Sequence, residues 1–331
     1  MEYFLSTSNQ MLVIFLFMLI GYLLRRKNIV EENAYANLSK MELFIFTPAL
    51  TFSTQMRQCT PANLKDNAVL ILIGATMMLT AIIIAEPISR LLVRNHKTNR
   101  EAAYERNIYK YATALANYGF VGNFIVLSVF GETGLFKYQM FDFFMTVCTY
   151  SWGMYVLIPK DRNAGMVKNI AKGLTSPPMI AVLLGMVCGL LGLGEKIDSI
   201  PFVKTVLDNA SLCMGPIAML LAGMVLGNYP LKDMFKEKKV YIVSFLRLIV
   251  IPSAFLVALK LILPLINVNV DPMVVTLALV AFGAPLGLNT IVFPAAYGGN
   301  PKLGASMALI SSLFCVITLP MLYYIFVVFW H

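Results

Sequence analysis

The residues ANYGFVGNF at positions 116–124 interrupt an apolar stretch, 107–131, that is long enough to cross a lipid bilayer. A second interruption, FGAPLGLN at 282–289, lies inside the apolar stretch 272–298. Glycine costs about 1 kcal/mol in a helix interior and proline about 3 kcal/mol. These clusters therefore predict that each stretch folds as two half-helices joined by an unwound segment. Unwound backbone persists at membrane depth only where it is buried in protein or faces a wet cavity.

The overall composition is typical of an integral membrane protein. Of the 331 residues, 59% are hydrophobic and only 13% are charged, whereas a soluble domain carries about 25% charged residues. The five cysteines are scattered singly, and the two histidines are His96 and His331, so we expect no metal site and no cofactor. We interpret the net charge of +9 as a consequence of membrane topology and expect no nucleic-acid partner.

Ten stretches are long and apolar enough to cross the bilayer, which predicts an all-α integral membrane fold. They cover residues 8–25, 34–56, 67–93, 107–131, 134–158, 177–194, 200–228, 238–264, 272–298 and 302–330. The N-terminus lacks the basic start and the cleavage site of a signal peptide, so we expect the first span to be retained.

The two halves of the chain match each other at an offset near 167 residues. The matching pairs are Gly21 with Gly189, Pro48 with Pro216, Gly119 with Pro285, and Asn123 with Asn289. Five spans per half is an odd number, so the second half must cross the membrane upside down. We therefore predict a first five-helix repeat at 1–158, a cytoplasmic linker at 159–176 and an inverted repeat at 177–331. Inverted repeats are typical of secondary transporters, which bind substrate near the membrane midplane.

Lys and Arg residues are distributed unevenly between the predicted loops. Counted together with the adjoining ends of the spans, loops after odd-numbered spans contain 18 of them and loops after even-numbered spans contain 5. Basic loops stay in the cytoplasm. The pattern predicts a multi-pass protein of the cytoplasmic (inner) membrane with both termini outside.

The two interruptions supply the candidate binding groups. Asn123 and Asn289 each precede an apolar run, where an asparagine can cap the new half-helix. A half-helix N-terminus carries partial positive charge and favours an anion. The alternative interpretation is that Gly and Asn merely let two helices cross closely. The candidate substrate-binding residues are Asn117, Tyr118, Gly119, Phe120, Asn123, Pro285, Asn289 and Thr290.

Ionisable residues inside predicted spans are functional candidates, because burying a charge in a bilayer is costly. Asp142 in span 5, and Asp208 with Asn209 in span 7, are candidates for ion coupling or for lining a cavity. The alternative is that they reach water at the outer interface. We interpret Glu42, near the start of span 2, as interfacial. Arg247 lies deeper, in span 8, and the sequence names no partner for it.

Several segments resemble the auxin efflux carrier family, which includes plant PIN proteins and bacterial relatives and belongs to a superfamily with the bile acid/sodium symporters. The segments that carry the resemblance are NYGFVG at 117–122, PLGLNT at 285–290, AAYGG at 295–299, TLP at 318–320 and LFIFTPALTFS at 43–53. The resemblance covers essentially the whole chain. In one departure, this chain has Phe124 where many relatives have proline, so its first break relies on Gly119 and Gly122.

The resemblance implies ten helices in two inverted repeats, with helices 4 and 9 broken and crossed. It also implies alternating-access transport of small organic carboxylates, such as indole acetate or malate-like acids, with Na⁺ or H⁺ as a possible coupling ion. A homodimer is a further possible arrangement.

Other membrane functions remain as alternatives. These are an ion-coupled symporter of another small solute, a channel and a receptor. An intramembrane enzyme is disfavoured, because the chain has no Gly-x-Ser-x-Gly sequence, no His-rich helix and no aspartyl pair.

The charge distribution makes the topology testable. We expect a cysteine appended after His331 to react with a membrane-impermeant thiol reagent in intact cells, because both termini are predicted to be outside. The unmodified chain is the control for its own cysteines. Labelling of the added cysteine only after permeabilisation would contradict the predicted topology.

Overall fold

The computed structural model describes residues 2–95, 99–158, 175–265 and 272–328. The helices of the first half are α1 (Glu2–Arg26), α2 (Ala34–Met41), α3 (Thr47–Gln58), α4 (Pro61–Leu92), α5 (Arg100–Ala114), α6 (Asn123–Cys148) and α7 (Met154–Leu157). Those of the second half are α8 (Pro177–Leu190), α9 (Gly194–Asp198), α10 (Pro201–Gly227), α11 (Leu231–Met234), α12 (Lys238–Phe245), α13 (Ile251–Leu265), α14 (Pro272–Gly283), α15 (Asn289–Tyr297) and α16 (Lys302–Tyr323). Within these ranges the only β-type pairing is an isolated bridge.

The helical path widens at five places into a π-helical turn. These turns are Glu42–Phe46, Tyr118–Gly122, Thr149–Gly153, Leu246–Val250 and Tyr324–Val328. Such local widenings occur frequently at functional sites.

The all-helical prediction is confirmed, and helices overlap each of the predicted apolar stretches. Five helical stretches in the described part of the chain are long and apolar enough to cross a membrane: Pro61–Leu92, Tyr118–Leu157, Pro201–Gly227, Lys238–Ile262 and Lys302–Phe326. The break expected at 132–133 is present at Gly131, where two helical segments of α6 meet at a kink. Gly131 has non-helical backbone angles, and its φ of 67° lies in the left-handed region that glycine tolerates. Most of the predicted linker, 159–174, lies outside the described residues.

Glu86 and Arg90, one turn apart on α4, form an ion pair with 2.7 Å between carboxylate and guanidinium. The same carboxylate also pairs with Lys110 at 2.6 Å and with Arg106. Because Arg106 and Lys110 belong to α5, this cluster links α4 to the helix that leads into the first interruption.

Close helix packing depends on glycines that face backbone. α1 packs on α10, where a Cβ on Gly223 would overlap the Met18 carbonyl oxygen and one on Gly21 would overlap that of Leu220. α8 packs on α3, where a Cβ on Gly185 would lie 2.7 Å from the Phe52 carbonyl oxygen. Small residues of this kind let membrane helices approach until their backbones touch.

Two glycines of α10 provide a matched test of this packing. We expect Gly223→Ala to lower the free energy of unfolding by about 1–3 kcal/mol, because its methyl group meets backbone that cannot yield without moving a helix. Gly215→Ala should be neutral or stabilising by up to about 1 kcal/mol, because helices favour alanine and the nearest atom to its Cβ is Phe124 Cδ2 at 3.5 Å. The measurement is the Tm of each purified variant in detergent. Equal Tm values for both variants would contradict the proposed close packing.

Candidate functional site

The two interrupted stretches meet at their interruptions. The backbone N–H of Asn117 donates to the Pro285 carbonyl oxygen at 2.7 Å, and Ala116 forms an antiparallel bridge with Leu286. A Cβ on Gly287 would lie 3.1 Å from the Ala116 carbonyl oxygen. A side chain at this position would require the two backbones to move apart by a few tenths of an ångström.

The second interruption also bonds to its surroundings. The Leu286 N–H donates to the Ser311 hydroxyl of α16 at 2.9 Å. The Thr290 hydroxyl donates to the Gly287 carbonyl oxygen at 2.8 Å. Both segments are buried. Their backbone groups thus find partners within the protein, as unwound backbone at membrane depth requires.

The helices restart differently from the prediction. The first restarts at Tyr118, where the N–H groups of Val121 and Gly122 bond to the Asn117 carbonyl oxygen at 3.1 Å. Asn123 lies more than one turn inside this helix, and Asn289 is the first residue of α15. No side-chain capping bond is made at either start. The prediction that Asn123 and Asn289 cap the half-helices is therefore wrong.

A small cavity of about 50 Å³ lies beside the first restart. The residues that line it are Thr47, Thr51, Gln55, Tyr118, Gly119, Phe120, Asn123, Gln139, Asp142, Phe143, Thr146, Tyr150, Val182, Met214 and Asn289. A water molecule needs about 10–15 Å³ by this kind of measure. The cavity therefore has room for a few waters in this conformation.

The cavity gathers most of the predicted site residues but not all of them. Those that line it are Tyr118, Gly119, Phe120, Asn123, Asn289 and Asp142. Asn117, Pro285 and Thr290 do not line it, and their contacts hold the interruptions together. A Cβ added to Gly119 would meet no atom within 4 Å, so this glycine faces open space.

Several buried amide atoms of the cavity wall have no partner among the described residues. They are Oδ1 of Asn123, Oδ1 of Asn289, Oε1 of Gln55 and Nε2 of Gln139. Asn289 Nδ2 bonds to the Tyr111 hydroxyl at 3.1 Å, and Gln55 Nε2 bonds to Gln139 Oε1 at 3.0 Å. A buried polar atom left unpaired costs about 1–3 kcal/mol. The wall is thus suited to a polar occupant, and each amide can turn either its donors or its oxygen toward it.

Sequence reasoning missed the polar face of α3. Thr47, Thr51 and Gln55 are spaced four residues apart, so they share one face of α3. This spacing was visible in the sequence. Glu42 is also misassigned as interfacial: it is fully buried, and its Oε1 accepts from the Thr47 hydroxyl at 3.1 Å.

The remaining candidates lie in different surroundings. Asp142 is buried, accepts a hydrogen bond from Thr146 and forms no ion pair with the described residues. Asp208 is partly exposed and pairs with Arg57 at 2.7 Å and with Lys204. Asn209 is exposed.

Two larger cavities flank the interruptions. One, of about 430 Å³, contains Arg57, Lys204 and Asp208 and shares Asn123 with the small cavity. The other, of about 910 Å³, lies at the N-terminal end of α5, where Lys239 and Glu105 form an ion pair of 2.7 Å. The first is continuous with the wall of the small cavity, whereas the second shares no residue with it.

Comparison with known proteins identifies a common family. A family model described as a membrane transport protein matches residues 6–323. The chain is 26% identical to an uncharacterized transporter of Methanocaldococcus jannaschii over 93% of this chain and 95% of that one. It is also 26% identical to an uncharacterized transporter of Methanothermobacter thermautotrophicus over 75% of this chain and 77% of the relative.

The ion pairs of Arg57 allow the effect of two substitutions on thermal stability to be predicted. Arg57 also bonds to Asp198 at 2.7 Å, so Asp208→Asn leaves it one carboxylate. We expect that variant to lose at most about 1 kcal/mol, because partly exposed ion pairs contribute little. Arg57→Gln should lower the Tm further, since two carboxylates then face each other. Tm values in detergent test this order, and the reverse order would contradict it.

Proposed function

We propose that the chain, which belongs to the membrane transport protein family that includes the auxin efflux carriers, is a secondary transporter of small organic carboxylate anions. It is a multi-pass membrane protein and not an enzyme. The observation that carries the proposal is the meeting of two interrupted helices beside a polar cavity. In this proposal the anion binds at the meeting point, which we call the crossover: residues 115–122 and 284–289.

The helix start at the crossover favours a negative charge. The first backbone N–H groups of a helix have no intrahelical acceptor, and together they carry partial positive charge. Here those groups belong to Tyr118, Gly119 and Phe120, which all line the cavity. Asn123 and Asn289 add amide groups. Since the lining contains neither Lys nor Arg, dipoles would provide most of the direct contacts with a carboxylate.

The size of the cavity points to a closed conformation. Its 50 Å³ is far too little for an organic acid, so the site must widen before it binds substrate. The adjoining 430 Å³ cavity provides a route to Asn123. Alternating access would then open the crossover toward the 910 Å³ cavity instead, which requires the Lys239–Glu105 pair to part.

We also propose that ten helices form two inverted five-helix repeats, at 1–158 and 177–331, joined by the linker 159–176. In such a repeat, span 1 is equivalent to span 6 and span 2 is equivalent to span 7. A contact between spans 1 and 7 should therefore have an equivalent contact between spans 6 and 2. The packing of α1 on α10 and of α8 on α3 follows this rule. Gly21 and Gly189, which match in sequence, each face a backbone carbonyl oxygen in these contacts. Both termini would be outside the cytoplasmic membrane, and a homodimer is the proposed assembly.

We propose that Asp142 couples transport of the substrate to movement of a proton. Na⁺ is the alternative coupling ion. Its carboxyl group lines the cavity without a cationic partner in the described ranges, so it can exchange a proton where substrate binds. We expect Asp142→Asn to alter the pH dependence of uptake into proteoliposomes, with Asp208→Asn as the control. Identical pH profiles in the wild type and both variants would exclude Asp142 from coupling.

The binding site is tested by removing its amides. A charge-assisted hydrogen bond is worth about 1.5–3 kcal/mol, so Asn123→Ala and Asn289→Ala should each weaken carboxylate binding by about 10- to 100-fold. Indole-3-acetate and malate are the probes, and binding and Tm are measured together. The Tm of Asn123→Ala should change little, because its side chain makes no capping bond, whereas Asn289→Ala should lower the Tm as well, because it removes the buried hydrogen bond to the Tyr111 hydroxyl.

Asn209→Ala is the matched control, since Asn209 is exposed and lines neither the small nor the 430 Å³ cavity. Full affinity with a lowered Tm in the crossover variants would leave the two asparagines as structural residues and move the site elsewhere.

A further inference from the structure

Arg247 is a fully buried cation without a counter-charge in the described part of the chain. It lies in the π-helical turn between α12 and α13 and has no exposed surface. Its Nε, Nη1 and Nη2 atoms have no hydrogen-bond partner among the described residues. No carboxylate in those ranges lies within 4.0 Å of it.

This arrangement is costly and therefore calls for an explanation. A guanidinium group stays protonated in proteins, so burial cannot be relieved by loss of the proton. Buried charges are normally paired and hydrogen-bonded. In a membrane protein, an intramembrane ionisable residue marks a functional site by default. The proposed mechanism so far gives Arg247 no role.

The surroundings of Arg247 connect it to both sides of the crossover. Its guanidinium carbon lies 5.2 Å from the centre of the Phe282 ring, next to Gly283, where α14 ends. It also interacts electrostatically with Tyr138, whose hydroxyl donates to the Tyr118 carbonyl oxygen at 3.2 Å. Tyr118 is the residue where the other helix restarts. Arg247 thus lies close to the end of α14 and interacts with the tyrosine that bonds to Tyr118, without lining the small cavity.

The buried carboxyl groups do not neutralise Arg247 by contact. Asp142 also interacts electrostatically with Tyr138, but it forms no ion pair with Arg247. Glu42 bonds to Thr47 on the cavity side. Arg247 does not line the small cavity, so an anion there would feel its charge across the protein. In this medium of low polarity, a charge acts over a greater distance than it does in water.

We propose that Arg247 is the fixed positive charge that makes the crossover selective for anions. It does not touch the substrate; instead, the charge of a bound carboxylate offsets its own. This role rests on the proposed function of the crossover. It also explains why the missing counter-charge is tolerated, because the substrate supplies it.

The test compares an acid with its uncharged amide. Indole-3-acetate and indole-3-acetamide have nearly the same shape, so the ratio of their affinities measures charge selectivity. We expect Arg247→Met to reduce this ratio by about tenfold, which corresponds to about 1.4 kcal/mol, and Arg247→Lys to preserve it. Lys260→Met, on α13 and exposed, is the control for loss of one positive charge from the same span.

Stability gives a second and independent readout. Replacing an unpaired buried charge by an apolar side chain of similar length is often neutral or stabilising. We therefore expect ligand-free Arg247→Met to have a Tm equal to or above that of the wild type. A purely structural role would lower it. Should Arg247→Met fail to fold, that outcome counts against the proposal, and Arg247→Gln then enters the affinity assay under the same criterion.

The outcomes separate this inference from the proposed function. If Arg247→Met keeps the wild-type ratio, or Arg247→Lys loses it, the inference is overturned while carboxylate binding at the crossover stands. If the wild type itself does not bind indole-3-acetate in preference to indole-3-acetamide, both are overturned. The inference is supported if Arg247→Met reduces the ratio of acid to amide affinity while Arg247→Lys and Lys260→Met preserve it, and if the Tm of Arg247→Met is not lowered.

Discussion

A hydrogen bond of 2.7 Å joins the backbone N–H of Asn117 to the Pro285 carbonyl oxygen. It connects two backbone segments that are not helical. In the interior of a membrane protein such segments cannot turn to lipid for hydrogen bonds. They must therefore meet each other or other protein groups. The crossover forms because the backbone of one interruption provides a hydrogen-bond acceptor for the backbone of the other. Gly287 favours the close approach of the two segments, because a Cβ at this position would lie only 3.1 Å from the Ala116 carbonyl oxygen.

This constraint determines the positions of the polar groups that are proposed to bind the substrate. Once the first helix ends at Ala114 and restarts at Tyr118, a helix N-terminus must lie inside the protein. The first N–H groups of this helix belong to Tyr118, Gly119 and Phe120, which line the small cavity. The amides of Asn123 and Asn289 face the same space. The proposed dipolar anion site would thus arise from the interruption itself, without a lysine or arginine in contact with the ligand.

The sequence predicts the interruptions well because their cause is local. Glycine, proline and asparagine destabilise the interior of a helix, so positions 116–124 and 282–289 could be identified without a fold. The role of Asn123 could not, because the helix restarts at Tyr118 by bonding to a backbone carbonyl oxygen, which requires no particular side chain. The cavity wall depends on which helices pack together. Gln139 of α6 meets Gln55 of α3, and no pattern within either helix indicates that pairing. Glu42 was misplaced for the same reason: distance along the chain from a loop does not determine burial.

The claim that matters most is that this chain carries organic anions by a saturable, alternating mechanism. The direct measurement is counterflow of labelled indole-3-acetate into proteoliposomes that contain the purified protein. The account predicts uptake that saturates with external acid and that speeds up when unlabelled acid is present inside, because a carrier returns faster when loaded. Uptake that rises linearly with concentration and is indifferent to internal acid would contradict it.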